Sequence, residues 1–244
     1  MNVPTRSTLV NASRWLGIHN RGLALSGPLV VISPHLDDAI FSLGAAIARA
    51  ARDGVHVTVL TVLAGDPESV SPPGRWDARA GFRTAGDAAR ARREEDRRAS
   101  AIVGSQSAWL PFSDDQYDRG ADDETIAGVV LSAIGAATTV LFPGFPLENE
   151  DHAWLANLML PKLDRERVLL YVEQPYAANA DRWDGPDSSV PLAATLPDRL
   201  KKLNACRAYS SQISLLGRSA MARMLGFEAT HAGELVALPN AIAR

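Results

Sequence analysis

Two short segments of the chain combine histidine with carboxylates, the side chains that hydrolytic metal sites use. Residues 35–38 read His-Leu-Asp-Asp, and residues 148–152 read Glu-Asn-Glu-Asp-His. A zinc ion in a hydrolase needs about three protein ligands and an open position for water. His35, Asp38 and His152 supply that number, so the sequence predicts one metal site shared by the two segments.

The two neighbouring aspartates of the first segment suit a division of labour. Consecutive residues at a helix start point in different directions, so Asp38 could bind the metal while Asp37 faces the water molecule. Asp37 would then act as a general base and return the proton to the departing amine. A structural role for the two aspartates is equally open, because an aspartate at a helix N-terminus is a common cap that contributes about 1 kcal/mol to stability.

The elements around these segments predict how they are brought together. Residues 29–34 form an apolar, β-branched run that predicts a buried strand, and apolar residues at helical spacing follow from Asp38 to Gly54. A second apolar strand over residues 138–142 precedes the second segment. In a parallel sheet, ligands bind beyond the carboxyl ends of strands, where the strand order reverses. Both segments are therefore expected at that point.

Strands and helices alternate along the rest of the chain. This order predicts an α/β fold, a Rossmann-like three-layer sandwich with a mostly parallel central sheet. Further strands are predicted over residues 55–63, 108–112 and 167–172, helices over 87–104, 124–136, 151–163 and 200–209, and a hairpin in the tail.

The chain is predicted to form a single domain over residues 1–244. Residues 1–28 are read as an N-terminal extension and residues 175–197 as a loop insert. The long polar loop over residues 66–86 is a candidate binding loop. Trp76 in that loop and Trp183 in the insert could stack on a sugar ring, although packing at a rim is the commoner role of such residues.

Bulk composition sets limits on the class of protein. The 244 residues include 46% hydrophobic and 22% charged residues, which is ordinary for a globular protein. The net charge of −3 gives no reason to expect a nucleic-acid partner. Cys206 is the one cysteine, and no apolar run approaches the roughly 20 residues that cross a bilayer. We therefore expect a cytoplasmic protein without a transmembrane segment.

Several segments, in the same order along the chain, resemble the PIG-L (LmbE-like) deacetylase family. Residues 34–39 resemble its His-Pro-Asp-Asp-Glu signature, residues 92–95 its Arg-Arg-x-Glu helix and residues 110–114 its Leu-Gly-x-x-Asp turn. Residues 151–152 resemble the end of its His-Pro-Asp-His motif, and Lys202 with residues 209–212 resembles its C-terminal Lys…His-x-Ser-Gln element.

The resemblance implies a role for each matching residue. It gives one zinc ion bound by His35, Asp38 and His152, with Asp37 as the general base. The Arg-Arg-x-Glu helix places Arg92 near bound substrate, and the following turn contributes Asp114 as a second substrate-binding residue. Without the resemblance, Arg92 would be read as part of a solvated helix face and Asp114 as a turn residue.

The chain departs from the family pattern at three positions. Leu36 replaces the usual proline and Ala39 the usual glutamate, both outside the implied ligand set. Asn149 stands where the first histidine of His-Pro-Asp-His is expected. Asparagine can donate a hydrogen bond to an oxyanion but cannot deliver a proton at neutral pH. Asn149 is therefore expected to stabilise the oxyanion or, alternatively, only to cap the helix that follows.

The predicted function is zinc-dependent hydrolysis of an N-acyl group, an acetyl, from an amino sugar or a glycosylated small molecule. Two other classes stay open at this point. A family member that binds but does not turn over its ligand is one, since Asn149 replaces a catalytic histidine. A non-haem Fe(II) oxygenase is the other, because two histidines and a carboxylate also form its ligand triad. That triad usually lies on antiparallel barrels.

Overall fold

A computed structural model describes residues 22–180, 185–217 and 219–239 of the chain. Within them one seven-stranded sheet has the order β3-β2-β1-β4-β5-β7-β6. The strands are β1 (Leu29–Ser33), β2 (Val57–Thr61), β3 (Gln106–Trp109), β4 (Thr139–Phe145), β5 (Val168–Val172), β6 (Val190–Pro191) and β7 (Leu235–Ala237).

Helices connect the strands and cover the sheet. They are α1 (Asp38–Arg52), α2 (Arg75–Arg79), α3 (Ala85–Val103), α4 (Asp123–Ile134), α5 (Glu150–Met159), α6 (Tyr176–Asn179), α7 (Leu196–Ala208), α8 (Ser210–Leu216) and α9 (Ala220–Thr230).

Two hydrophobic cores lie on opposite faces of this sheet. Alternate residues of a strand point to opposite faces, so Leu29 and Val31 of β1 enter one core while Val30 and Ile32 enter the other. The first core also contains buried residues of α1, α3, α7 and α9, and the second contains those of α4 and α5. The predicted three-layer α/β sandwich is thereby confirmed.

The direction of the strands also confirms the expected place for a site. Strands β1 to β5 are parallel, and β1 lies between β2 and β4. The chain builds outward from β1 through β2 to β3, then crosses to β4 and β5, so the strand order reverses between β1 and β4. This parallel architecture is unlike the antiparallel barrel on which the oxygenase alternative depended.

Local sequence signals set the ends of α3, which carries Arg92. The Thr84 hydroxyl accepts a hydrogen bond from the backbone N–H of Asp87 at 3.0 Å and caps the start of the helix. Gly104 ends it in the left-handed region, with φ of 87°. Residues without a side chain adopt this conformation at little cost, so the helix stops there and the chain turns into β3.

The predictions were wrong at β3 and in the C-terminal part. The strand expected over residues 108–112 lies at Gln106–Trp109, and the loop insert over residues 175–197 contains α6 and β6. The tail forms α8 and α9 in place of a hairpin, and β7 then pairs antiparallel with both β5 and β6. These pairings join segments far apart in sequence, which local patterns do not reveal. Residues 1–21 of the predicted extension and Trp183 lie outside the described residues.

A buried ionic cluster ties the C-terminal part to α1. The ammonium group of Lys202 in α7 donates to the carboxylates of Glu228 and Glu234, the latter at 2.7 Å. Glu234 also accepts hydrogen bonds from the backbone N–H groups of Ala45 and Ala46 in α1, at 2.9 and 2.7 Å. Gly44 allows this approach, because a Cβ atom there would lie 2.9 Å from Cγ of Lys202.

Replacing Lys202 with methionine should destabilise the protein strongly. The substitution keeps a long unbranched side chain but removes the cation that Glu228 and Glu234 share, leaving Glu228 with Arg199 at 4.0 Å, and the loss of one partner of a buried ion pair typically costs about 3–5 kcal/mol. The free energy of unfolding, measured by chemical denaturation, should fall by that amount. Lys201→Met on the exposed side of the same helix is the matched control and should change it by less than about 0.5 kcal/mol. Equal stability of the two variants would contradict this role of Lys202.

Candidate active site

Three side chains converge where β1 and β4 end. His35 follows β1, Asp38 begins α1, and His152 lies in the first turn of α5, after β4. Nδ1 of His35 lies 3.1 Å from Nε2 of His152. Oδ2 of Asp38 lies 3.2 Å from the first nitrogen and 3.1 Å from the second. The three atoms thus form a nearly equilateral triangle, as expected if they face one common point.

The donor set fits a zinc ion in spacing and in chemistry. Ligand atoms at about 2.0–2.2 Å from a tetrahedral zinc lie roughly 3.3–3.6 Å apart, close to the edges of this triangle. The outer nitrogen of each ring is also held by a carboxylate, Nε2 of His35 by Asp151 at 2.9 Å and Nδ1 of His152 by Glu173 at 2.5 Å. Such carboxylates fix the orientation of metal-binding imidazoles. The residues present can therefore hold a metal.

Asp151 is itself held firmly. Its carboxylate accepts hydrogen bonds from Arg119 at 2.5 Å and from the backbone N–H of Asp115 at 3.1 Å. Burial would raise the pKa of Asp151, but the hydrogen bond and charge of His35, together with Arg119, outweigh it and lower that pKa to about 2. Asp151 thus stays ionised and keeps His35 in a fixed orientation.

The charges of the cluster reinforce one another. Burial alone would raise the pKa of Asp38, but His152 and His35 lower it well below its usual value. Burial would likewise lower the pKa of His152, but Asp38 and Glu173 raise it to about 9. Asp38 thus stays ionised beside the imidazoles, and a metal cation bound there would displace the proton between the two facing ring nitrogens.

Asp37 differs from Asp38 in its surroundings. It occupies the cap position of α1, yet its side chain makes no capping hydrogen bond, so the structural role considered for it is absent. Burial and the neighbouring charge of Asp38 raise the pKa of Asp37 to about 7. Its carboxylate lines the same cavity as His35. One aspartate, Asp38, therefore lies within the triangle, and the other, Asp37, lies beside it.

Asn149 caps a helix and also contacts Tyr176. Its Oδ1 atom accepts a hydrogen bond from the backbone N–H of Asp151 at 2.9 Å and caps α5. Its amide nitrogen donates to the hydroxyl of Tyr176 at 3.2 Å, and both residues line the cavity. The ring of Tyr176 packs edge-on against His152, with centroids 5.3 Å apart. Asn149 is thus a helix cap whose amide group also faces the site.

The cavity above the triangle has a volume of about 490 Å³. This lies within the range of about 300–1,000 Å³ that small-molecule sites occupy. Six of the seven predicted site residues line it, and His152 is buried behind them. The lining residues are His35, Asp37, Asp38, Arg92, Asp114 and Asn149.

Arg92 and Asp114 stand at the inner wall of this cavity. Arg92 is 8% exposed, its guanidinium lies 3.8 Å from the carboxylate of Asp77, and it is not part of a solvated helix face. Asp114 accepts hydrogen bonds from the backbone and side-chain N–H groups of Gln116 at 3.2 and 3.0 Å. Both residues also line a second cavity of about 410 Å³. They form the wall between the two spaces.

Sequence reasoning missed the residues that orient the triangle. Glu173 directly follows β5, so the rule that placed His35 and His152 at strand ends also applied to it. A lone carboxylate without a neighbouring histidine gave no reason to single it out. Asp151 belonged only to the two-residue match to the end of the His-Pro-Asp-His motif, and no role was predicted for it. Tyr176 carried no recognisable pattern.

Comparisons with known proteins agree with this geometry. Residues 30–161 match the PIG-L family, described as GlcNAc-PI de-N-acetylase. The solved structure of the pseudoaglycone deacetylase of the antimicrobial agent A40926 is 30% identical, with a TM-score of 0.72 over 86% of this chain and 96% of that one. The zinc-inhibited form of a teicoplanin deacetylase is 25% identical, with a TM-score of 0.71 over 87% of this chain and 99% of that one.

A more distant structure shares the fold. It is the N,N'-diacetylchitobiose deacetylase from Pyrococcus horikoshii, 17% identical with a TM-score of 0.50 over 87% of this chain and 81% of that one. Among curated proteins, none matches the chain. In the described ranges, no helix combines the length and the apolar character needed to span a bilayer.

The parallel α/β sheet and the site at its switch point define a hydrolase whose side chains can hold a metal. The chain belongs to the PIG-L family, and it is an N-deacetylase.

Proposed function

We propose that the protein is a zinc-dependent enzyme that removes an N-acetyl group from the amino sugar of a glycosylated small molecule, with one zinc ion per chain. The observation that carries the proposal is the triangle of donor atoms from His35, Asp38 and His152, with edges of 3.1–3.2 Å, at the end of an open cavity. The similarity to deacetylases of A40926 pseudoaglycone and teicoplanin biosynthesis supports a substrate of this class.

Asp37 is the residue that moves the proton. Zinc, when bound, supplies Lewis acidity that polarises an acyl carbonyl and makes water more acidic. The carboxylate of Asp37 takes one proton from the attacking water while the oxygen of that water bonds to the acyl carbon. The same carboxyl group then gives that proton to the amine as the carbon–nitrogen bond breaks. One water is consumed, its two protons leave on the amine nitrogen, and acetate and the protonated amine are released.

Asn149 and Tyr176 supply hydrogen bonds for the charge that develops on the acyl oxygen. Because Oδ1 of Asn149 accepts from the backbone of α5, its amide N–H₂ group is directed away from the helix and toward the cavity. One of its two hydrogens goes to the Tyr176 hydroxyl. The other hydrogen and the hydroxyl proton of Tyr176 are then available to an oxyanion. Neither group has to deliver a proton.

Arg92 and Asp114 are proposed to position the sugar. Sugar hydroxyl groups both donate and accept, so a guanidinium and a carboxylate on one wall can hold adjacent hydroxyls. Both side chains are restrained by protein contacts, Arg92 by burial beside Asp77 and Asp114 by Gln116. Little side-chain entropy is lost on binding when such groups are already ordered.

Release of acetate from a panel of N-acetylated sugars and glycosides tests the proposal. The purified protein should hydrolyse at least one of them, lose activity on treatment with a chelator, and recover it when zinc is added back. His35→Ala should lower both the bound zinc, measured by elemental analysis, and the turnover. The matched control is His56→Ala, because His56 is exposed and lies outside the cavity.

The two histidine variants separate a metal role from general damage to the fold. We expect His56→Ala to keep the zinc content and the activity of the wild-type protein. We expect His35→Ala to lose both while its far-UV circular dichroism spectrum stays unchanged. Full activity of the chelated protein, or full zinc content in His35→Ala, would reject the proposed site.

A further inference from the structure

The outer part of the cavity is formed by the short helix α2. Arg75, Trp76 and Arg79 on this helix all line the cavity that contains the donor triangle. A cavity of about 490 Å³ has room for more than one hexose ring beyond the reacting group. The part of a substrate that extends outward from the acylated sugar therefore meets α2.

The protein holds α2 in a fixed position. The side-chain carbonyl of Gln116 accepts hydrogen bonds from the backbone N–H groups of Trp76 and Asp77, at 2.6 and 3.4 Å. The indole N–H of Trp76 donates to the side-chain carbonyl of Gln212 in α8 at 2.8 Å. Trp76 is therefore held by hydrogen bonds to both its backbone and its indole ring. A surface ordered before binding loses little entropy when a ligand arrives.

Charge is separated within the cavity. The inner part is acidic, since Asp37, Asp38, Asp114, Asp115 and Asp151 line it, and its arginine, Arg92, lies 3.8 Å from the carboxylate of Asp77. The two outer arginines are different. Arg75 and Arg79 are exposed, and within the described ranges neither makes an ion pair with a carboxylate.

The guanidinium group of Arg79 lies over an aromatic ring. Its guanidinium carbon lies 5.3 Å from the centre of the Trp76 ring. This contact leaves the N–H groups of the guanidinium open to a ligand, whereas an acidic partner would occupy them. The helix thus presents an indole ring with Arg79 over one of its faces, and two exposed cations that no carboxylate of the described residues pairs with.

We propose that Arg75, Trp76 and Arg79 form an outer subsite for an anionic group, a carboxylate or a phosphate, that is attached to the acylated sugar. The proposal rests on the deacetylase function proposed above and narrows its substrate class. Guanidinium groups bind both anions through paired N–H donors, and the part of the indole ring that Arg79 leaves uncovered packs on the sugar or the linking group. The substrate is accordingly an acidic glycoside or sugar ester, selected at α2 and hydrolysed at the inner end.

The specificity of hydrolysis tests this subsite. kcat/KM is measured for N-acetylglucosamine, for its 1-phosphate, and for N-acetylmuramic acid, which carries a carboxylate. The acidic substrates should be preferred, and the preference should shrink at high salt. In the double variant Arg75→Gln/Arg79→Gln, the ratio of kcat/KM for the acidic over the neutral substrate should fall about tenfold or more, since hydrogen bonds to charged groups are lost. The phosphate and carboxylate arms show which anion is recognised.

Arg83→Gln is the matched control, because Arg83 is an exposed arginine that does not line the cavity. It should keep the wild-type ratio. An unchanged ratio in the double variant, or a wild-type protein without preference for either acid, would overturn the subsite.

The affinity of the protein for the deacetylated products tests the subsite independently of catalysis. By isothermal titration calorimetry, glucosamine 1-phosphate should bind the wild-type protein at least about tenfold more tightly than glucosamine, and the double variant should lose this difference. If no substrate is hydrolysed but the difference in binding is present, the proposed function fails while the subsite stands. If hydrolysis occurs without any such difference, the subsite alone is rejected.

Discussion

Asp37→Asn should lower kcat by about 10²-fold or more while the zinc content stays close to that of the wild-type protein. The amide has nearly the same shape as the carboxylate, but it cannot accept a proton from water. Asp37 lies beside the donor triangle and does not belong to it, so its loss should leave the metal ligands in place. Turnover and elemental analysis of the same preparation give both quantities.

Asp38→Asn is the companion variant. It removes the charge of the carboxylate oxygen that lies 3.2 and 3.1 Å from the two imidazole nitrogens, so metal affinity should fall. Asp37→Asn, in contrast, should melt near the wild-type temperature, because the Asp37 side chain makes no capping hydrogen bond. If the two variants lost zinc to the same extent, the proposed division between base and ligand would be wrong.

Asn149→Ala should lower kcat by about 10²–10³-fold with little change in KM, because it removes the amide donor that we propose to stabilise the acyl oxygen. The same variant should also lose about 1 kcal/mol of stability, since Asn149 caps α5 through the backbone of Asp151. Kinetics and thermal denaturation on one protein measure the two losses.

Asn149→Ser separates the cap from the catalytic donor. Serine is also a favourable cap, but its side chain is too short to replace the amide that reaches Tyr176. We therefore expect near-normal stability together with a kcat almost as low as in the alanine variant. Wild-type turnover in both variants would reduce Asn149 to a cap. Asn149→His should shift the pH profile through the imidazole pKa, about 6.5 in model peptides.

The inner site could be predicted because its residues lie directly after strands. His35 follows β1, and His152 lies shortly after β4, so the parallel sheet alone brings them to one edge. The orienting carboxylates could not be assigned in the same way. Which nitrogen of each ring faces inward depends on Asp151 and Glu173, and that choice is made only in the folded protein.

The outer site and the end of the sheet lay beyond sequence reasoning for a related reason. The position of Trp76 depends on Gln116 and Gln212, which are 40 and 136 residues away. The two antiparallel strands at the edge likewise depend on partners distant in the chain. Local periodicity carries no information about such pairs. A single domain over residues 1–244 stays a prediction.

The hydrogen bonds from α1 to Glu234 make the order of folding relevant to the activity. Ala45, in the helix that begins with Asp38, donates to a carboxylate 189 positions later in the chain. Contacts between such distant segments form slowly, because a long loop must close first. α1 acquires its full set of partners only once the segment that precedes β7 has docked. The helix that carries Asp38 is therefore complete only in a chain that has folded through to Glu234.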